Sequence, residues 1–288
     1  MNLVTIASDQ LTVAISPLGA EMQRLTTSDG RDWLWDGDPA FWTGRAPILF
    51  PIVGKAPNDQ VRIEGELYPM GQHGFARRTE FDLVASEASS CRLELSASGT
   101  TKSIYPFEFR LTLDYRVEER SVHIQATVEN RDERPMPFGF GFHPAFLWPL
   151  PGREGEPHWV RLDNGAEPAM VRLAAGLVKP ERLPSPFKGG DVTVQHAFFD
   201  ADAMIFPDGA GTGARFQSGE TAVQLGWDNL PNFALWSKPG EAPFLCLEPW
   251  HGMAAEVDGS DRIEGRPFTT VLEPGNSAQF GLHIELIG

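Results

Sequence analysis

The sequence predicts an all-β chain folded as a large antiparallel β-sandwich with few, short helices. Three observations carry this expectation: apolar and polar residues alternate in separate runs, turn formers fall between those runs, and no capped helical period is sustained over three or more turns.

The alternating runs are LTVAIS (11–16), CRLELS (91–96), FRLTLDYRV (109–117), SVHIQATVEN (121–130), TAVQLG (221–226) and QFGLHIEL (279–286). Successive strand residues point to opposite faces, so each run offers one face to a core and one to water. Between them lie Ser28-Asp29-Gly30, Asn58-Asp59, Pro151-Gly152, Pro207-Asp208-Gly209 and Pro274-Gly275, at spacings suited to antiparallel connections. Segments 149–158 and 174–190 are rich in Pro and Gly, but strand patterns resume after each without a change of composition. They read as long loops, and residues 1–288 as a single domain.

Composition narrows the function. Acidic residues number 39 against 24 Lys and Arg, giving a formal charge of −15 that repels phosphate backbones and anionic lipid. No nucleic-acid partner and no membrane association are expected. The start, MNLVTIASDQ, lacks a basic segment and a long apolar run, so a cytoplasmic location is the expectation. Cys91 and Cys246 form no CxxC and read as two buried, reduced thiols.

Four stretches carry candidate chemistry. In PMPFGFGFHPAF (135–146), a continuous strand would put Phe138, Phe140 and Phe142 on an inward face and Gly139, Gly141 and His143 on the other. Glycine in a strand marks the close approach of a ligand or of another backbone. His143 is then either an acid or base with cleared space beside it, or a histidine satisfied near a strand end. In PFLCLEPW (243–250), Glu248 ends an apolar strand, where burial would raise its pKa and suit it to act as a base. TGRAPILFPIVGK (43–55) sets Arg45 ahead of an apolar run, a position for donating to hydroxyls or for an ordinary surface ion pair. GQHGFARRTEF (71–81) sets His73 between glycines and before Arg77 and Arg78, compatible with a site or a plain turn. Asp202 leads into an apolar strand, which calls for a partner or a ligand.

Taken in order, GRAPILFPIVGK, QHGFAR, GFGFHPAF, DAMIF and LCLEPW resemble the aldose 1-epimerase (galactose mutarotase) family, in particular its LacX-like branch. The resemblance covers most of the chain. It implies a cofactor-free, metal-free β-sandwich that interconverts the α and β anomers of a free hexose, a small sugar being its partner. It also implies roles by position: Glu248 as general base on the C1 hydroxyl, His143 as general acid on the ring oxygen, and His73, Arg45 and Asp202 as substrate-binding residues. Relatives acting on hexose 6-phosphates make a phosphorylated sugar an alternative, with Arg77 and Arg78 near His73.

Other readings of the same residues exist. His73, His143 and Glu248 could form a facial metal triad, Asp202 and Glu248 could be a glycosidase pair, and a sugar-binding protein would keep the pocket without catalysis.

Overall fold

Two antiparallel sheets share one core. The computed structural model, which describes residues 3–288, has a nine-stranded sheet in the order Asp191–Thr193, Trp159–Leu162, Gly213–Ser218, Thr221–Asp228, Ser277–Ile287, Ser121–Asn130, Phe109–Glu118, Ser90–Ser96 and Asp82–Ser86. Five of the alternating runs lie here. The sixth, Leu11–Ser16, is the middle strand of a three-stranded sheet between Val4–Ala7 and Glu21–Thr27. Alternation decides which side faces in: along Ser121–Asn130, Val122, Ile124, Ala126 and Val128 are buried, whereas His123 and Gln125 face water. Each valine or isoleucine among them contributes about 1.5–3 kcal/mol on burial.

The helical content matches the missing helical period. The α-helix Gly99–Lys102 is one turn, capped by Ser98 Oγ, which accepts from the Thr101 backbone N–H. Among the described residues no helix is long and apolar enough to cross a membrane.

A six-stranded sheet covers the other side of the core. Its backbone runs Met204–Phe206, Asn232–Trp236, Phe244–His251, Phe140–Phe142 and Ile48–Leu49, with Ala145–Leu147 also paired to Phe244–His251. Phe140 stacks on Phe280 of the nine-stranded sheet with ring centroids 4.9 Å apart, one of the contacts that joins the two layers. Leu245 and Leu247 point into this main core. Cys246, Glu248 and Trp250 therefore point to the opposite, outer face.

Three expectations about these strands need correction. The segment 135–146 is three short strands rather than one: Met136–Phe138 pairs with Thr270–Leu272 in a separate ladder, and Pro144 interrupts the remainder. Proline has no N–H to give to a ladder, which accounts for the gap at that position. The glycine face is not cleared for a ligand either. A Cβ on Gly141 would lie 2.5 Å from Trp250 Cδ1, and one on Gly139 would lie 3.3 Å from the His251 carbonyl oxygen. These glycines admit an indole and a neighbouring backbone. Glu248 likewise does not end its strand, which continues through Pro249 to His251.

The Gly141 contact is directly testable. Gly141→Ala forces a methyl into a rigid buried indole and should cost about 1–3 kcal/mol, read as a lower melting temperature. Gly99→Ala, where a Cβ meets nothing within 4 Å, should leave stability unchanged or slightly raised. Equal melting temperatures for the two variants would contradict the packing described.

Candidate active site

A cavity of about 310 Å³ opens on the outer face of the six-stranded sheet. His73, His143, Asp202 and Glu248 all line it, together with Trp42, Trp236, Trp250, Arg77 and Lys238. Four of the five residues assigned from sequence therefore converge from four distant segments.

Strand register brings the first two together. Gly141 pairs with Trp250 and Ala145 with Cys246, so the two pieces of the interrupted strand keep one alignment against Phe244–His251. That alignment sets His143 opposite Glu248. Their side chains meet at 3.1 Å between His143 Nε2 and Glu248 Oε2, with the residues 6% and 1% exposed. On the other side of Glu248 the paired residue is Ala234, whose small side chain leaves the carboxyl uncrowded. The Trp42 ring lies 5.1 Å from the His143 ring, and the Trp236 ring meets it edge-on at 5.8 Å.

This dry setting controls the proton. Burial pushes the Glu248 carboxyl well above its usual range, and the nearby Asp202 charge adds to the effect. Burial, aided by the Arg77 guanidinium, pushes His143 down to about 3. Both groups are driven towards their neutral forms, so the pair as a unit holds one proton over a wide pH range. Moving that proton across the contact changes neither the proton count nor the net charge.

His73 is fixed by main chain. Its own N–H donates to the Gly54 carbonyl at 2.9 Å, and the Gly54 N–H donates back to His73 Nδ1 at 3.1 Å. Nδ1 is thus an acceptor, and in the neutral ring the hydrogen sits on Nε2; the Gln72 side-chain amide, 3.2 Å away, accepts from it only when turned to present its oxygen. Burial, with His143 and Arg77 close by, holds His73 well below its ordinary value. One of the two glycines, Gly74, now has a reason. Gly74 has φ +69°, and a Cβ there would lie 2.2 Å from the Phe50 carbonyl oxygen, so only glycine lets the turn approach the 48–54 segment this closely.

Asp202 reaches the cavity from the turn before Met204–Phe206, with φ +69°. Its backbone carbonyl accepts from Arg172 at 2.7 Å. Arg45 does not join this group: its guanidinium donates to Gln23 at 2.7 Å and lies against Gly37, and its backbone N–H donates to Glu21. The arginine in the cavity wall is Arg77, half-buried and without a hydrogen-bond or ion-pair partner among the described residues. Arg78 is exposed beside it.

Metal-ligating geometry also differs from the facial triad considered from sequence. The atoms that come within 4.8 Å of one another belong to His143, Cys246 and Glu248, without His73. Burial pushes the Cys246 thiol well above its usual value, away from the thiolate that binds metal.

Several residues around the site had no local signal. Trp42 and Trp236 sit in loop-like or apolar surroundings where an aromatic reads as core. Arg266 is buried and donates to the carbonyls of Val53 at 2.7 Å, Met253 at 3.0 Å and Lys55 at 3.2 Å, bracing the loop that holds His73. Its pKa is pushed down to about 10 by burial. A pattern of three backbone acceptors scattered over 200 positions is invisible along the chain.

Comparison with known proteins agrees with this architecture. Protein LacX of Lactococcus lactis subsp. lactis, in its plasmid form, is 26% identical, with 99% of each chain covered. A galactose mutarotase related enzyme from Lactobacillus acidophilus superposes with a TM-score of 0.93 at 26% identity, covering 99% of this chain and 97% of that one. A galactose mutarotase-like protein from Lactobacillus casei gives 0.92 at 28% identity, over 99% and 100% of the two chains. The aldose 1-epimerase family model matches residues 2–258, and the chain belongs to that family.

Proposed function

We propose that this protein is an aldose 1-epimerase that interconverts the α and β anomers of a hexose by acid–base ring opening and reclosure. The observation that carries the proposal is the buried 3.1 Å contact between His143 and Glu248 in the cavity wall. Ring opening takes a proton from the C1 hydroxyl and gives one to the ring oxygen. Those two oxygens are bonded to the same carbon, so acid and base must stand side by side.

In the proposed cycle Glu248 removes the hydroxyl proton while His143 delivers one to the ring oxygen, cleaving the bond between that oxygen and C1. Rotation about C1–C2 then presents the other face of the aldehyde, and the two transfers run backwards on closure. The pair begins and ends with one proton. The His73 Nε2–H donates to a sugar oxygen beside the reacting centre, Asp202 accepts from hydroxyls, and Trp42 and Trp236 supply apolar faces for the ring. Arg45 would act on the sugar only through its neighbours, because its guanidinium is already bound to Gln23.

A second reading is favoured by one observation. Arg77 is a half-buried cation without a hydrogen-bond or ion-pair partner among the described residues, in the same wall as Lys238, within a chain of charge −15. Burial lowers its pKa, and an anionic group on the sugar would offset that cost. A hexose bearing phosphate fits this wall. Rates of anomer equilibration on glucose and glucose 6-phosphate distinguish the two substrates, and Arg77→Met should slow only the phosphorylated one.

Freshly dissolved α-D-glucose or α-D-galactose should reach anomeric equilibrium faster with the protein, followed by polarimetry. His143→Asn and Glu248→Gln should each lower kcat by about 10²–10⁴-fold; full activity in both variants rules out the mechanism.

The pH dependence follows from the directions of the shifts. His143 gains a second proton for the pair only near about 3, and Glu248 loses the shared one only well above its ordinary range. His143 should therefore add no bend to kcat/KM at pH 6–7, where an exposed histidine with a pKa of about 6.5 would titrate, and the profile should fall on its alkaline side as Glu248 gives up the shared proton.

The same shift predicts a stability effect. A carboxyl whose folded pKa is raised binds more protons in the folded state, so its cost is absent below the unfolded pKa and grows as pH rises. Glu248→Gln should raise the melting temperature at pH 8 relative to pH 4, by about 2–4 °C per kcal/mol relieved. An inactive variant that is also less stable at pH 8 would contradict this account of the burial.

A further inference from the structure

The solvent-facing side of the nine-stranded sheet carries a second histidine pair, outside the cavity. His123 of Ser121–Asn130 stands directly opposite His283 of Ser277–Ile287 in the antiparallel register. Their ring centroids are 4.4 Å apart, and the two Nδ1 atoms face each other at 3.1 Å. Two protonated rings would repel at this distance. Two neutral rings can place only one N–H between them, unless a cation takes both lone pairs.

We propose that His123 and His283 bind a divalent transition-metal ion, of the zinc or copper class, through both Nδ1 atoms. Two nitrogens at about 2.0–2.1 Å from one zinc ion stand about 3.3 Å apart at the tetrahedral angle, and about 2.9 Å apart at a right angle. The 3.1 Å seen here lies between them, so the spacing suits an ion once both rings turn their lone pairs off the line that joins them.

The surroundings suit a cation with open coordination positions. Gly226 is the residue paired with His283 on the neighbouring strand, and a Cβ there would find nothing nearer than 3.9 Å. Space therefore remains beside the ring. Gly281 precedes His283 on the same face, and Asp228 occupies the room above it, with Oδ2 2.9 Å from where a Cβ would be. Asp228 makes no ion pair among the described residues, and neither does Glu285 on the far side of His283. Asp228 is a diagonal neighbour of His283 and Glu285 lies two residues along the same strand, but among the described residues neither joins the rings in a three-ligand cluster, so water would fill the remaining positions. Arg116 is the residue opposite His123, but it is drawn away by Glu118 at 3.1 Å, and Asp114 is held by Arg92. An ion here would clasp the last strand of the chain to the strand beside it.

The test uses the full chain stripped with a chelator and then titrated with zinc ion by calorimetry. One saturable zinc per chain is expected, accompanied by a rise in melting temperature. His123→Ala and His283→Ala should each weaken binding by at least the about 10–100-fold that even an outer-shell partner is worth. Both positions face solvent or lie near it, so melting temperatures in chelator should match the parent. Absence of saturable binding in the parent chain overturns the proposal. Binding that survives undiminished in both variants also overturns it, since that ion must sit elsewhere, as on His143, Cys246 and Glu248.

Discussion

The hydrogen-bond register between the Phe140–Leu147 region and Phe244–His251 sets the position of everything in the cavity. Gly141 with Trp250 and Ala145 with Cys246 fix the alignment on either side of Pro144, and a slip of one residue would turn Glu248 into the main core. The interruption itself matters. Pro144 brings no N–H to the ladder, though its carbonyl still accepts from the Leu247 N–H at 3.2 Å, and beside it the His143 ring meets the Glu248 carboxyl on the next strand. The distance between His143 and Glu248 is thus held by two backbones, each locked into a sheet whose other face is packed.

Placing an imidazole and a carboxyl in that dry position works against folding. Desolvation penalises every charged form, and only mutual contact and proton sharing limit the cost. Structural sites are rarely built this way, and strongly displaced titratable groups in a cleft are characteristic of functional ones. Around the pair the protein invests in fixed donors: main chain sets the His73 ring, and Arg266 ties down the loop that sets the main chain.

Legibility in the sequence followed the range of the interaction. Strands such as 121–130 and 279–286 were readable because alternation is local, and the one-turn helix at Gly99 was too short to leave a period. Glu248 was readable from its apolar flanks, which do bury it. The glycines at 139 and 141 signalled a close approach, but whether a ligand or Trp250 approached depended on a pairing over a hundred residues away. The same limit separated Arg45 from Arg77. A guanidinium's partner, Gln23 in one case and open cavity in the other, is a tertiary fact. The ordered motifs of a family supplied what pattern alone did not, bringing His73, His143, Asp202 and Glu248 to one place in advance, while Arg266 carried no motif.

The turn that holds His73 has a consequence for how such a site can change. Its tautomer is dictated by the Gly54 amide and not by another side chain, so no substitution of a neighbouring residue can reverse it while the turn persists. Side chains on the rim, Gln72, Lys238 and Leu173 among them, are under no such constraint from the main chain. If the proposed reaction holds, its chemistry is written in the main chain and its selectivity in side chains, so the two can drift apart, and a scaffold of this kind could take new sugars while keeping its His73 geometry.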